Sequence, residues 1–133
     1  MESQKIDKPW GYEIIWASTP RYAGKILFIE KGHRLSRQYH QIKDESIVVL
    51  EGTLRLEIGP DQYQPELQIF SLEQGSGYHI TPGTVHRFCA EEGDVTLIEV
   101  STPELQDVVR LEDDYKRIGK DQLPAIQPPR FQK

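Results

Sequence analysis

Gln38 and His40 are separated by one residue, and on an extended strand that spacing turns both side chains to one face. Glu45 follows a short loop at the start of the next apolar run, so its carboxylate can converge on the same point. His86 brings a second imidazole just after Pro82 and Gly83. Two neutral imidazoles, a carboxylate and an amide oxygen make a mixed nitrogen–oxygen donor set. Such a set suits one divalent metal ion, zinc first, with manganese, iron, cobalt or nickel as alternatives. Four protein ligands leave coordination positions open for water or a substrate. A lone histidine on a strand is usually a surface or core residue, so the weight rests on the joint spacing. Of the other two histidines, His33 follows the turn at Gly32 and is expected in solvent. His79 sits inside a strand and is expected to line the interior without ligating.

Short extended segments must position these residues. Glycine, proline and β-branched residues punctuate the chain at the intervals of an all-β domain. Strands are expected at Tyr12 to Trp16, Tyr22 to Ile29, Leu35 to His40, Ser46 to Leu50 and Leu54 to Ile58, then at Ile69 to Leu72, Gly77 to Thr81, Val85 to Ala90 and Val95 to Ser101. Leu54, Leu56 and Ile58 alternate with Arg55 and Glu57, giving one buried and one wet face. With the turn at Glu51-Gly52, that alternation predicts a hairpin between Ser46–Leu50 and Leu54–Ile58. Asp107 to Leu111 is expected to add a strand, and Glu112 to Ile118 a short helix or turn. Many short antiparallel strands imply a sandwich or closed barrel. Residues 1–120 read as one domain and 121–133 as a proline-rich extended tail. Trp10 and Trp16 are expected to cap the barrel core.

The 133 residues carry a net charge of -5 and show no basic stripe, which speaks against a nucleic-acid partner. No apolar run reaches membrane-spanning length, so no membrane partner is expected. The first residues lack a signal peptide's basic-then-apolar pattern, and a cytoplasmic protein is expected. Cys89 is the only cysteine, so neither an intrachain disulfide nor a cysteine-built zinc site is available.

From Gly32 through Gln38, His40 and Glu45 to Gly52, the chain resembles the first cupin motif, G-x5-HxH-x3-4-E-x6-G, with Gln38 at the first histidine position. From Gly75 through Gly83 to His86 it resembles the second motif, with Thr81 and Ala90 at its proline and asparagine. The resemblance implies a double-stranded β-helix, a jelly-roll barrel. Within the cupins, Leu35-Ser36-Arg37-Gln38-Tyr39-His40 resembles the LSxQxH segment of mannose-6-phosphate isomerases, whose Gln, His, Glu and His are metal ligands. Lys8-Pro9-Trp10-Gly11, the Lys25 to Gly32 segment, Leu97 to Val100 and Asp107 to Arg117 extend that likeness. The similarity is to the isomerase domain at the C-terminal end of bifunctional mannose-1-phosphate guanylyltransferase/mannose-6-phosphate isomerases and covers roughly residues 8 to 117. It breaks after the glutamate, where Ser46 and Ile47 replace a His and a Trp, and at Lys43, where the family has arginine.

The resemblance implies aldose–ketose interconversion of a hexose 6-phosphate, mannose 6-phosphate with fructose 6-phosphate, through a cis-enediol. Such a reaction needs a base that reaches the C1 and C2 protons, and Lys43 and Glu99 are the candidates. Glu99 stands in an apolar strand, so an ion pair with a buried base such as Lys25 would explain it equally well. The phosphate calls for a guanidinium or ammonium group: Arg110 first, with Arg87 and Lys25 as alternatives. Two other classes stay open: a non-catalytic metal-containing cupin that binds a sugar or sugar nucleotide, and a metal-dependent oxygenase, against which Gln38 counts. Family likeness also implies a homodimer.

Overall fold

The computed structural model describes residues 2–63 and 66–117 and the short strand at 119–120. The tail at 121–133, the loop positions Gln64 and Pro65, and Ile118 lie outside the described residues. The strands are β1 (Gln4–Lys8), β2 (Gly11–Ser18), β3 (Ala23–Ile29), β4 (Arg37–Tyr39), β5 (Glu45–Glu51) and β6 (Leu54–Gly59). They continue as β7 (Gln68–Leu72), β8 (Gly77–Ile80), β9 (Val85–Cys89), β10 (Val95–Ser101), β11 (Val109–Glu112) and β12 (Gly119–Lys120). They form two six-stranded antiparallel sheets, ordered β1-β2-β3-β10-β5-β8 and β12-β11-β4-β9-β6-β7. This is the all-β jelly roll of the cupins. Among the described residues there is no helix, and therefore none long and apolar enough to cross a membrane.

Side-chain parity decides what each strand buries. On β6, Leu54, Leu56 and Ile58 turn inward while Arg55 and Glu57 stay half-exposed. On β10, Val95, Leu97 and Glu99 share the inner face, and on β5 Glu45, Ile47 and Val49 do. Ile29, Leu54, Leu56, Ile80 and Leu97 are the fully enclosed centre of the core that the two sheets share.

The expected hairpin across Glu51-Gly52 does not form. β5 pairs with β10 and β8, β6 pairs with β7 and β9, and the turn carries the chain from one sheet to the other. Alternation fixes the buried face of a strand but not its ladder partner. Two further expectations change. β1 was not anticipated, because an edge strand that buries little beyond Ile6 carries almost no apolar pattern. Of the two forms expected for the segment after β11, the structure takes the turn, near Asp114 and Tyr115, with Lys116 in a left-handed conformation. Trp10 is buried in the core, but Trp16 is 40% exposed and lies over Gly24 on the outer surface.

One ion cluster belongs to the packing itself. Glu13 is buried, with Lys25 Nζ at 2.7 Å from one carboxylate oxygen and Lys8 Nζ at 3.1 Å from the other. Burial alone would raise its pKa, but the two ammonium groups outweigh it and hold the carboxyl down to about 2. The contribution of this carboxylate to stability is therefore whole above its ordinary 4.5 and is lost as pH falls toward 2.

Gly52 has a φ of 86°, and a Cβ there would lie 2.3 Å from the Asp94 carbonyl oxygen. Gly32 has a φ of 85° with nothing within 4 Å. In urea denaturation, Gly32→Ala is expected to lose about 1 kcal/mol, the conformational part alone. Gly52→Ala should lose clearly more, of the order of 3 kcal/mol, because strain and a backbone clash add; equal losses would remove the clash from the account. Glu13→Gln, which leaves two half-buried ammonium groups without their counter-charge, should cost about 2–3 kcal/mol at neutral pH, below the full penalty for a wholly buried charge because solvent reaches both. That gap should close between pH 4.5 and 2, so a gap independent of pH would show that Glu13 is not held ionised.

Candidate metal centre

β4 ends one residue before His40, Glu45 opens β5, and His86 is the second residue of β9. Gln38 and His86 are direct cross-strand partners, and Arg110 of β11 is the partner of Gln38 on its other side. The fold thus brings His40, Glu45 and His86 together, all buried, with one ligand atom of each within 4.8 Å of the others. His40 Nε2 lies 2.6 Å and His86 Nε2 3.5 Å from Glu45 Oε2.

Hydrogen bonds on the far side of each ring fix what those nitrogens present. His40 Nδ1 is 2.6 Å from the Asp107 carbonyl, and His86 Nδ1 is 3.0 Å from the Thr84 carbonyl. A carbonyl only accepts, so both Nδ1 atoms carry hydrogen and, in the neutral rings, both Nε2 atoms present lone pairs. Burial lowers the His86 pKa to about 4, so that ring is neutral near pH 7. Burial would raise Glu45, but the Lys43 ammonium overcomes it and keeps the carboxyl well below its usual range. With both rings neutral, two lone pairs and a carboxylate oxygen face one another, and among the described residues none of the three atoms has a hydrogen-bond partner. Such an arrangement is repulsive unless a cation sits among the three atoms. N–H···O=C bonds of this kind, made by the nitrogen that faces away from the site, are what orient histidines toward a metal. The trio can hold a metal ion. Gln38 lines the same cavity, and its amide oxygen accepts a short hydrogen bond from the Ser36 hydroxyl; its second lone pair stays available.

The cavity beside this trio has a volume of about 100 Å³ and concentrates charge. Five cationic side chains line it: Lys8, Lys25, Lys43, Arg110 and Arg117. The carboxylates facing them are Glu13, Glu45 and Glu99. Lys43 Nζ is 3.1 Å from Glu99 Oε2 and 4.0 Å from Glu45 Oε1. Burial would lower the Lys43 pKa, but the two carboxylates raise it above its ordinary value. A lysine so held stays protonated, which removes it as a base. Burial and the charge of Glu45 raise the pKa of Glu99. Lys25, expected as the partner of Glu99, is its cross-strand neighbour, but its ammonium leans to Glu13 instead.

Arg110 lines the cavity, where burial and the charge of Arg117 lower its pKa to about 10, still charged at neutral pH. Arg87 does not reach it: its side chain is buried against the Leu35 carbonyl at 2.8 Å and pairs with Asp114 and Glu112. Lys8 and Arg117 were not anticipated, since near the ends of a small acidic chain they read as solvated charges. His33 is half-buried and stacked on Tyr115, with Nδ1 2.8 Å from the phenol oxygen, rather than in solvent. His79 points outward and pairs with Asp44 at 2.6 Å, because Tyr78 and Ile80 take the inner parity of β8.

Comparison with known proteins agrees with this geometry. The sequence profile of the family described as "Mannose-6-phosphate isomerase C-terminal" matches residues 1–118. The mannose-1-phosphate guanylyltransferase ManC of Salmonella typhimurium is 34% identical over 122 residues, 86% of this chain and 23% of that protein. The mannose-1-phosphate guanylyltransferase of Escherichia coli matches to the same extent. The chain thus spans about a quarter of the length of these relatives. Among solved structures, the capsular polysaccharide assembling protein CapF of Staphylococcus aureus superposes with a TM-score of 0.73 at 17% identity, over 84% of this chain and 34% of that one. KdgF from Halomonas sp. gives 0.64 at 20% identity, over 77% of this chain and 86% of that one. The oxalate decarboxylase of Lactobacillus farciminis gives 0.68 at 14% identity, over 82% and 33%. With a jelly roll, a buried His-Glu-His trio and a family profile that covers nearly its whole length, the chain belongs to the mannose-6-phosphate isomerase C-terminal family of cupins.

Proposed function

We propose that this protein is a metal-dependent sugar-phosphate isomerase that interconverts mannose 6-phosphate and fructose 6-phosphate. The observation that carries the reading is the buried trio, with both imidazoles presenting lone pairs to one carboxylate oxygen, set beside a cation-rich cavity in an acidic chain. His40, Glu45 and His86, with Gln38 as fourth ligand, hold one divalent cation, zinc in first place. When bound, that cation supplies Lewis acidity toward the oxygens on C1 and C2 of the open-chain sugar.

The chain's own groups do the rest. Glu99 carries the proton between C1 and C2, and a carboxyl raised by burial suits a group that must both take and return it. Lys43 stays charged, holds Glu99 in place and offsets negative charge that develops on the cis-enediol. Arg110, with Lys8 and Arg117 on the same cavity wall, takes the phosphate. A second reading, non-catalytic capture of a sugar phosphate or sugar nucleotide, gains from the Lys43 ion pair, which leaves Glu99 as the only base among the two candidates.

Elemental analysis of the purified protein is expected to find one equivalent of divalent metal. Zinc restored to the chelated protein at about a thousand times Kd adds about 4 kcal/mol by linkage, a rise in melting temperature of more than about 10 °C. His86→Ala should abolish both; an unmetallated protein with no zinc-dependent shift would remove the metal from the proposal.

Metal-loaded protein should convert mannose 6-phosphate to fructose 6-phosphate in a coupled assay. Glu99→Gln should keep the metal and lower kcat by about a hundredfold or more, whereas Arg110→Ala should act mainly on KM. Thermal shifts with sugar phosphates but no turnover would transfer the site to the binding role.

A further inference from the structure

Between the ligands His40 and Glu45 lie four residues, the first two of which have little packing of their own. Gln41 is exposed and the Ile42 side chain, at 67% exposure, faces solvent. A loop that is not packed must be shaped by hydrogen bonds, and these come from the connection between β10 and β11. Asp107 supplies most of them. Its Oδ1 accepts from the Gln41 amide at 3.1 Å. Its Oδ2 accepts from the Ile42 amide at 2.6 Å and from the Lys43 amide at 2.9 Å. Its main-chain carbonyl accepts from His40 Nδ1 at 2.6 Å. One residue therefore takes donors from four consecutive positions, 40 to 43. Thr102 continues the pattern, its hydroxyl oxygen accepting the Asp44 amide at 3.0 Å and its own amide donating to the Asp44 carbonyl at 3.0 Å. Burial would raise the Asp107 carboxyl, but the three amides outweigh it and lower its pKa, as charge-assisted bonds do.

We propose that Asp107 is the positioning residue of the metal centre. Its carbonyl selects the tautomer that aims His40 Nε2 inward, and its carboxylate folds residues 41–43 so that Glu45 arrives opposite that nitrogen. The same carboxylate anchors the backbone from which Lys43 reaches Glu99. This inference rests on the metal reading above and adds to it a residue that does not touch the ion.

Cobalt(II) titration of the chelated protein tests it, read by the visible absorption of the bound ion and by competition with zinc. Asp107→Ala should weaken cobalt and zinc binding about ten- to a hundredfold and change the cobalt spectrum, because the ligand geometry is no longer imposed. Asp107→Asn keeps one acceptor and the main-chain bond, so an intermediate loss is expected, and it serves as the readable variant if Asp107→Ala does not fold. Asp94 is the control: its Oδ1 caps the Lys31 amide at 2.8 Å in a separate loop. Asp94→Ala should lower the melting temperature of the metal-free protein but leave cobalt affinity and spectrum unchanged. If the wild type binds cobalt and both Asp107 variants bind it as tightly with the same spectrum, the role of Asp107 is overturned and the metal centre stands. If the wild type binds no cobalt or zinc, the metal reading falls and takes this one with it.

Discussion

A carboxylate taken out of water loses several kcal/mol of hydration, and only charge partners or hydrogen bonds can return it. This barrel buries three, Glu13, Glu45 and Glu99, around one cavity. Much of the interior is arranged by that constraint. Lys8 and Lys25 converge from β1 and β3 on Glu13, and Lys43 comes over the rim of β5 to Glu99. At Glu45, Lys43 stands 4.0 Å away and the two nearest groups are imidazole nitrogens. Among the described residues, the point where His40, Glu45 and His86 meet is the one where a divalent cation would add the charge that three facing acceptors lack.

Most strands could be read from the sequence because burial face and strand length are local properties. Leu54–Ile58 announces itself by alternation and Val95–Ser101 by its apolar, β-branched run, and the structure places β6 and β10 there within one residue. The pairing of those strands is not local. Nothing in Glu51-Gly52 says whether the turn closes a hairpin or crosses to the opposite sheet; the distinction rests on the ladders that β5 makes with β10 and β8 and that β6 makes with β7 and β9, all from distant or later segments. β1 shows the opposite failure, since an edge strand with a wet surface on nearly every side has no pattern to detect.

The site was legible in its residue types and less so in its couplings. The spacing of Gln38, His40 and Glu45 on a strand–loop–strand unit foretells convergence, and a charge at Glu99 among Val95, Leu97 and Val100 foretells a buried partner. Which partner it is depends on where flexible ammonium groups settle, and Lys25, in correct register with Glu99, settles on Glu13. Lys43 looked like a base while only its proximity to the ligands was known; two carboxylates within 4.0 Å make it a fixed cation. The outward turn of His79 could have been read from Tyr78 and Ile80, whose apolar parity already claims the inner face of β8.

The register that sets Gln38 beside His86 has a kinetic meaning as well. β3 pairs with β10, β10 with β5, and β4 with β9, so nearly every ladder near the centre joins segments distant in the chain. Folds of this topology close slowly, on the millisecond-to-second scale, because loop entropy is lost before contacts repay it. The two halves of the ligand set meet only when those ladders exist, so an ion has nothing complete to bind beforehand. Stabilisation from an ion that joins so late falls mainly on the unfolding rate. A metal-loaded centre stitched across β4, β5 and β9 would therefore act as a latch, doing little to hasten folding and much to delay reopening.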